Sequence, residues 1–424
     1  MMSAPPELSS PERALIVGVA RSPKERWAEA ERLEELAGLV IACGAEVFET
    51  ILQIKERPDP AFYIGKGKAE EIAEIVKEYG LDLVVFDAPL SGSQTRNLEE
   101  LIKAKVIDRT EVIMDIFALH ARTPEAKAQV ELAQLEYQAS KLKGLWAHLD
   151  RPGGGIGTRG PGEKQLETDR RKMAEEIARL KKRLLEIERS KGVQGARRRD
   201  EFKVTLVGYT NAGKSSVMNA LTKAGQPEDE IPFTTLDPLT RRLSFPGLPV
   251  SVLLTDTVGF IEDLPPDLVA SFKATLDVIR DADLLLHIQD AAHPSREKRA
   301  EIVARTLADI GCETIPVIQV FNKCDLLLSP EMGQRLTDEN PNSVLISART
   351  GEGMDALSSS VVEAFRRTMV KFKALLRGQD MGKVYHRVLA CGILQSEEYT
   401  DDGVVLKGYL PARHMGLIKG REID

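Results

Sequence analysis

The eight residues 208–215 constrain this chain more than any other segment. They have the spacing of a phosphate-binding loop, with an apolar strand pattern at 204–207 before them and a helical pattern from about Lys214. Glycines let backbone N–H groups turn toward phosphates, and the start of the helix adds positive potential. We therefore expect a nucleoside triphosphate here, with Lys214 at the β- and γ-phosphates and Ser215 on Mg²⁺. The loop comprises Gly208, Tyr209, Thr210, Asn211, Ala212, Gly213, Lys214 and Ser215.

Two further segments are expected to surround the terminal phosphate. Asp256 ends an apolar strand and is placed to hold Mg²⁺ through water, while the N–H of Gly259 meets the γ-phosphate. Thr235 is the preferred candidate for closing on Mg²⁺ and the γ-phosphate, and Thr234 is the alternative. Lys214, Thr235 and Gly259 are the candidate catalytic residues. The two segments comprise Phe233, Thr234, Thr235, Leu236 and Asp237, and Asp256, Thr257, Val258 and Gly259.

Two later segments predict that the base is guanine. The carboxylate of Asp325 can accept hydrogen bonds from guanine N1–H and its 2-amino group, which adenine does not offer in that arrangement. After the next strand, backbone N–H groups at Ser347 and Ala348 are expected to donate to guanine O6. With the earlier motifs in the same order, these segments predict a GTP site. They comprise Asn322, Lys323, Cys324 and Asp325, and Ser347, Ala348 and Arg349.

Phe260 follows Gly259 where many small GTPases place a glutamine that orients the attacking water. Phenylalanine has no hydrogen-bonding group in its side chain, so we expect slow intrinsic hydrolysis that a partner accelerates. The side chain of Asn211 suggests K⁺ as a further ligand, since a cation there would offset the charge that develops during hydrolysis. A turn-forming asparagine is the alternative.

The remaining patterns predict a multidomain α/β protein. Alternating strands and helices indicate an N-terminal α/β domain at 10–115, and two long helical patterns joined by a glycine-rich loop indicate an αα-hairpin at 116–199. A second alternation gives a P-loop GTPase domain at 200–370. A small C-terminal α/β domain is predicted at 378–424, with strand candidates at Arg387–Cys391 and Gly403–Leu410.

Charge is distributed unevenly along the chain. The formal net charge is −7, yet residues 141–199 hold 17 Lys and Arg against 8 Asp and Glu. A basic limb on an acidic body suits an RNA partner, although a solvated helix face would have the same composition. The chain has no apolar run of membrane-spanning length, no signal-like start and four separated cysteines, which together favour a cytoplasmic protein.

With these motifs, the chain resembles the HflX family of GTPases over most of its length. The resemblance includes Gln129–Leu135, the loop Gly153–Gly157, the segment Gly162–Arg171, and Ile64–Lys68 in the first domain. It implies a protein that binds the large (50S) ribosomal subunit and splits stalled or idle ribosomes when GTP is bound, with hydrolysis stimulated by the ribosome.

The resemblance also implies that the hairpin, at 141–199, contacts ribosomal RNA. The candidate phosphate contacts are Arg151, Arg159, Arg170, Arg171 and Lys172. ATP binding by the N-terminal domain is implied as well, but that domain has no second phosphate-loop motif. Two alternatives stay open: a ribosome-assembly or tRNA-modification GTPase, and a GTP-gated RNA-binding module.

Overall fold

The computed structural model describes residues 11–149, 161–195, 201–222, 239–245, 248, 250–262, 278–378 and 381–421. Its contacts divide the chain into two units, one mainly up to Ile187 and one mainly from Glu188 onward. Within the described residues, no helix combines the length and apolarity needed to cross a membrane.

The first unit begins with four parallel strands in the order β2-β1-β3-β4. Its sheet is built from short apolar runs, which are completely buried in β3. The hairpin helices α5 and α6 follow. The elements are β1 Arg13–Ala20, α1 Arg26–Ala42, β2 Glu46–Ile54, α2 Lys66–Tyr79, β3 Leu83–Phe86, α3 Gly92–Ile102, β4 Lys105–Asp108, α4 Arg109–His120, α5 Pro124–Leu149 and α6 Pro161–Gly195.

The sequence pattern missed β4 and α4. The strand has only four residues, and the helix starts directly after it with Asp108 as its N-cap. The predicted domain boundary at 115 therefore falls inside α4. A capping box between Ser91 and Gln94 starts α3 at Gly92.

The apolar stripe on α6 forms the seam of the hairpin. Leu180 is buried against Ala128 and Leu132 of α5, and Ile177 and Leu184 pack at the edges of the same cluster. An ion pair of 2.8 Å between Lys181 and Glu136 also joins the two helices. These side chains therefore pack within the hairpin itself.

Asp108 ties the hairpin to the first sheet. Its fully buried carboxylate accepts hydrogen bonds from the backbone N–H of Leu90 and Glu111 and from the hydroxyl of Tyr137, and it pairs with Lys141 at 2.9 Å. Tyr137 and Lys141 lie on α5. Burial and the neighbouring Asp108 raise the pKa of Tyr137, so its hydroxyl stays protonated as a donor.

In the second unit, six described strands form one sheet in the order β10-β9-β8-β5-β7-β6, with only β6 antiparallel. The sequence analysis missed β6, whose alternating burial reflects its place at the sheet edge. The elements are β5 Phe202–Gly208, α7 Lys214–Thr222, β6 Leu239–Leu243, β7 Val252–Asp256, β8 Leu284–Asp290, α8 Arg296–Asp309, β9 Val317–Asn322, α9 Pro330–Glu339, β10 Ser343–Leu345 and α10 Met354–Arg367.

The chain ends with a three-stranded antiparallel sheet in the order β11-β13-β12, covered by helix α11. The predicted strand at Arg387–Cys391 is wrong, because those residues end α11. Val384, Val388 and Cys391 recur at helical spacing, which a five-residue window could not reveal. The sheet also includes β11, which precedes the predicted domain start at 378. The elements are β11 Met369–Leu376, α11 Met381–Cys391, β12 Ile393–Thr400 and β13 Gly403–Pro411.

We expect Asp108→Ala to lower the free energy of unfolding of the first unit by about 3 kcal/mol, since it removes a helix cap, the buried acceptor of the Tyr137 hydroxyl and one of the two carboxylates that pair with Lys141. Urea denaturation followed by hydrogen–deuterium exchange of peptides from α4 and α5 reports on that unit. Asp108→Asn, which keeps the cap, should lose less. A loss below about 0.5 kcal/mol for the alanine variant would contradict this role.

Candidate nucleotide-binding site

The predicted phosphate loop connects β5 to α7 at the carboxyl end of a central strand, where open α/β sheets bind their ligands. Two glycines in it are required by space as well as by conformation. Gly208 has a φ of +155°, and a Cβ there would lie 2.3 Å from the carbonyl oxygen of Ile288. Gly213 has a φ of +90°, and its Cβ would lie 2.2 Å from Nδ2 of Asn322. A larger residue at either position would displace the loop.

Lys214 is buried inside this loop. Its ammonium donates hydrogen bonds to the carbonyl oxygens of Gly208 at 3.2 Å and Tyr209 at 2.9 Å. Burial lowers the pKa of Lys214 to about 8, and the nearby charge of Asp256 opposes that shift. The loop thus holds a desolvated cation at its centre.

The side chains of Ser215, at the start of α7, and Asp256, at the end of β7, are in contact. The Ser215 hydroxyl donates to Oδ2 of Asp256 at 2.7 Å, so a hydroxyl and a carboxylate from different elements share one place. Thr257, the next residue, donates its hydroxyl to the carbonyl oxygen of Leu206 at 2.7 Å, which fixes the end of β7 against β5. Hard oxygen donors of this kind are those that Mg²⁺ prefers beside phosphate oxygens.

Gly259 lies directly against the phosphate loop. A Cβ at this position would be 2.9 Å from the Lys214 ammonium and equally close to Thr210, so only glycine fits. The next residue, Phe260, forms a two-hydrogen-bond bridge to the loop: its N–H donates to Gly208 at 3.1 Å, and its carbonyl accepts from Thr210 at 2.8 Å. The phosphate loop and the segment after β7 are therefore directly joined.

Asn322 connects the phosphate loop to the last predicted motif. Its side-chain amide donates to the carbonyl of Ala212 at 3.0 Å, and its amide oxygen accepts from the N–H of Ala348 at 3.0 Å. The Ala348 N–H, which we expected to face guanine O6, has this partner in the structure. Lys323, with a left-handed φ of 64°, extends the connection by donating to the carbonyl of Asn211 at 2.8 Å.

Asp325 presents its carboxylate at the rim of the same region. Ser347 donates to it at 2.6 Å, and Arg349 pairs with its second oxygen. The hydrogen bond from Ser347 and the charge of Arg349 lower the pKa of Asp325, so it is an anion at neutral pH. The adjoining Cys324 anchors the turn, because its N–H donates to the carbonyl of Ile346 at 3.0 Å.

The structure thus brings 208–215, 256–259, 322–325 and 347–349 together at one edge of the sheet. The predicted residues Phe233, Thr234, Thr235, Leu236 and Asp237 lie outside the described residues, as do Arg151 and Arg159 of the glycine-rich segment. Asn211 has a left-handed φ of 58° and an exposed side chain. This conformation fits the turn-forming role and leaves the K⁺ role untested.

Sequence reasoning missed three groups around the loop. The hydroxyl of Tyr209 accepts a hydrogen bond from the N–H of Glu262 at 3.0 Å, and the guanidinium of Arg299 lies 4.7 Å from the centre of its ring. Beneath the loop, burial lowers the pKa of His287 to about 4, so it is neutral. The histidine within an apolar strand was a visible signal, whereas the contacts of Tyr209 join segments far apart in sequence.

Comparisons with known proteins find related families and structures. Three family models match: the N-terminal region of GTP-binding GTPases at 30–118, their middle region at 120–198, and the 50S ribosome-binding GTPase at 203–323. Among solved structures, a GTP-binding protein of the archaeon Sulfolobus solfataricus in complex with GDP is 22% identical with a TM-score of 0.45, covering 83% of this chain and 98% of that one.

Curated relatives are similar along nearly the whole chain. GTPase HflX of Lacrimispora saccharolytica is 42% identical, covering 95% of this chain and 94% of that protein. GTPase HflX of Escherichia coli K12 is 44% identical, covering 88% of each. The chain therefore belongs to the HflX family and is a GTP-binding enzyme that hydrolyses GTP.

Proposed function

We propose that this GTPase binds the large ribosomal subunit and, with GTP bound, dissociates stalled or idle ribosomes. The observation that carries the proposal is the helical hairpin, with α5 of 26 and α6 of 35 residues. At 1.5 Å per residue these helices extend roughly 40 and 50 Å, far more than nucleotide binding requires. The family model that matches residues 203–323 is described as a 50S ribosome-binding GTPase, which supports the same partner. A ribosomal partner would place the protein in the cytoplasm.

The outer face of α6 exposes basic side chains of the kind that contact RNA phosphates. Arg171, Lys172 and Lys182 are exposed and lie away from the apolar seam. Several acidic residues accompany them, and Arg171 lies 3.5 Å from Glu175, so the helix is mixed and not uniformly basic. Lysine and arginine bind RNA mainly through backbone phosphates, which favours contact with structured ribosomal RNA over reading of a base sequence.

For the nucleotide, we assign the phosphates to the loop amides and Lys214, and the guanine to Asp325. Ser215 would ligate Mg²⁺ directly and Asp256 through water, which fits their shared position, and Mg²⁺ would neutralise charge on the β- and γ-phosphates. Thr235 is proposed as the second protein ligand of Mg²⁺. Lys214 then exchanges its two carbonyl partners for phosphate oxygens.

The γ-phosphate is proposed to change the position of the segment after β7. The N–H of Gly259 must turn toward that phosphate, and the bridge between Phe260 and the loop would adjust with it. GTP and GDP would then present different surfaces to the ribosome, and hydrolysis would release the factor. Because Phe260 offers no hydrogen bond to water, the ribosome is proposed to complete the catalytic site.

K⁺ at Asn211 remains part of the proposal, and equal turnover in KCl and NaCl would rule it out. A ribosome-assembly or tRNA-modification role, a GTP-gated RNA-binding role and ATP binding by the N-terminal domain remain the alternatives. Ribosome profiles separate the first two from the main proposal, since neither predicts dissociation of intact ribosomes.

The affinity for MgGDP should fall about fourfold between pH 7 and pH 8.5. The empty site has a Lys214 pKa of about 8, and bound phosphates would raise it, so binding takes up a proton once the empty-site ammonium begins to deprotonate. Calorimetry in two buffers of different ionisation enthalpy measures both the affinity and the proton uptake. A pH-independent affinity without proton uptake would contradict the assignment of Lys214 to the phosphates.

Deleting residues 153–160 should leave GTP binding unchanged but abolish ribosome dissociation. The change removes the predicted hairpin tip and leaves every motif residue of the nucleotide site in the sequence. Two measurements check it: sedimentation of intact ribosomes with GTP, and GTP turnover with and without purified large subunits. We expect the subunits to raise turnover of the full chain at least tenfold. Dissociation that survives the deletion, or turnover that the subunits do not change, would contradict the proposal.

A further inference from the structure

The side chain of Tyr209 contacts two other segments of the second unit. Tyr209 is the second residue of the phosphate loop, and its ring is buried. Its hydroxyl accepts a hydrogen bond from the N–H of Glu262 at 3.0 Å. The guanidinium of Arg299, on α8, lies 4.7 Å from the centre of the ring, within the range of a cation–π contact. One side chain of the loop therefore contacts both α8 and the segment after β7.

Glu262 is held by a second side chain as well. Its carboxylate pairs with the ammonium of Lys298, also on α8, at 2.9 Å. Lys298 and Arg299 are consecutive residues near the start of that helix. The backbone and the carboxylate of Glu262 are thus bound from the phosphate loop and from α8. We call this set of contacts the Glu262 anchor; it comprises Tyr209, Glu262, Lys298 and Arg299.

The anchor lies three residues after Gly259. Between the two, the N–H of Phe260 donates to the carbonyl of Gly208, and its carbonyl accepts from the N–H of Thr210. Gly259 packs so closely on the loop that a Cβ there would lie 2.9 Å from the ammonium of Lys214. The anchor therefore fixes one end of a short segment whose other end touches the ammonium that we assign to the phosphates.

The γ-phosphate is the group that distinguishes GTP from GDP, and the N–H of Gly259 is its proposed partner. Forming this hydrogen bond costs less free energy when the segment is already ordered beside the loop. Without the anchor, part of the energy of the contact would be used to order residues 259–262. MgGDP makes no such contact, so we expect its affinity not to depend on the anchor.

We propose that Tyr209 is a positioning residue that raises the preference of this enzyme for GTP over GDP by fixing the backbone of Glu262. Arg299 holds the ring, and Lys298 holds the carboxylate of Glu262, so the hydroxyl and the N–H meet in one arrangement. The inference rests on the proposed contact between Gly259 and the γ-phosphate. It adds a role for side chains that lie outside the nucleotide-binding motifs of the sequence.

Calorimetry on the full chain, with MgGDP and with the magnesium complex of a non-hydrolysable GTP analogue, tests the role of the hydroxyl. Tyr209→Phe removes the hydroxyl and keeps the ring against Arg299. We expect its affinity for the analogue to fall about fivefold, the effect of one lost hydrogen bond, and its affinity for MgGDP to stay within about twofold of wild type. Tyr399→Phe, which removes the hydroxyl of an exposed tyrosine on β12, is the matched control and should change neither affinity.

Hydrolysis and a charge exchange provide two further readouts. The kcat/KM for GTP should fall in Tyr209→Phe by the same factor as the analogue affinity, because this ratio compares the transition state with free enzyme and GTP. Lys298→Glu places a second carboxylate beside Glu262 and should weaken analogue binding about threefold. Adding Glu262→Lys to that variant should restore the affinity, since the pair re-forms with its charges exchanged.

Equal losses of affinity for the analogue and for MgGDP in Tyr209→Phe would overturn the proposal, because damage to the loop itself affects both nucleotides. An unchanged analogue affinity in that variant would overturn it too, as would a charge exchange that restores nothing. The charge-exchange variants decide the matter if Tyr209→Phe does not fold.

Gly259→Ala separates this inference from the assignment on which it rests. We expect the added methyl group to weaken analogue binding, because it would lie against Lys214 and Thr210. Unchanged analogue affinity in Gly259→Ala would count against the γ-phosphate assignment and thus against both proposals. Weaker binding in Gly259→Ala with unchanged binding in Tyr209→Phe would count against the role of Tyr209 alone.

Discussion

The buried ammonium of Lys214 is the interaction on which the nucleotide site depends. Removing a lysine from water is costly unless fixed dipoles replace its hydration, and here two loop carbonyls do so in part. The lowered pKa of about 8 shows that the replacement is incomplete. A loop that holds a partly desolvated ammonium favours a nearby anion and is therefore suited to bind phosphate. The neighbouring glycines leave room for this arrangement. Gly213 makes room for Asn322, and Gly259 makes room for Lys214 itself.

Asn322 links the phosphate loop to the proposed base-binding segments. One side-chain amide contacts both Ala212 and Ala348, so a shift of the phosphate loop is felt at the loop that follows β10. Lys323 adds a second link through Asn211 and Asp290. The segments 208–215, 256–260, 322–325 and 347–349 are therefore joined to one another by hydrogen bonds.

Much of this could be predicted from the sequence, because the motifs at 208–215, 256–259 and 322–325 have short fixed spacings and follow buried strands. Local sequence patterns did not predict the elements whose secondary structure depends on pairing or packing with another segment. The four-residue strand β4 forms because its backbone pairs with β3. Strand β6 likewise forms because its backbone pairs with β7. Residues 387–391 look like a strand in isolation and become helical as the last turns of α11. The contacts of Asn322 and of Asp108 join residues dozens of positions apart, and no window reveals them.

The assignment of Lys214 is tested most directly by calorimetry of MgGTP binding to the full chain and to Lys214→Ala. Lys203→Ala is the control, because Lys203 lies on β5, outside the phosphate loop, and its side chain pairs with the exposed Asp281 at 3.3 Å. The account predicts one saturable site in wild type and control and at least a hundredfold weaker binding in Lys214→Ala. Equal affinity in all three proteins, or no uptake of GTP by the folded wild-type chain, would contradict it.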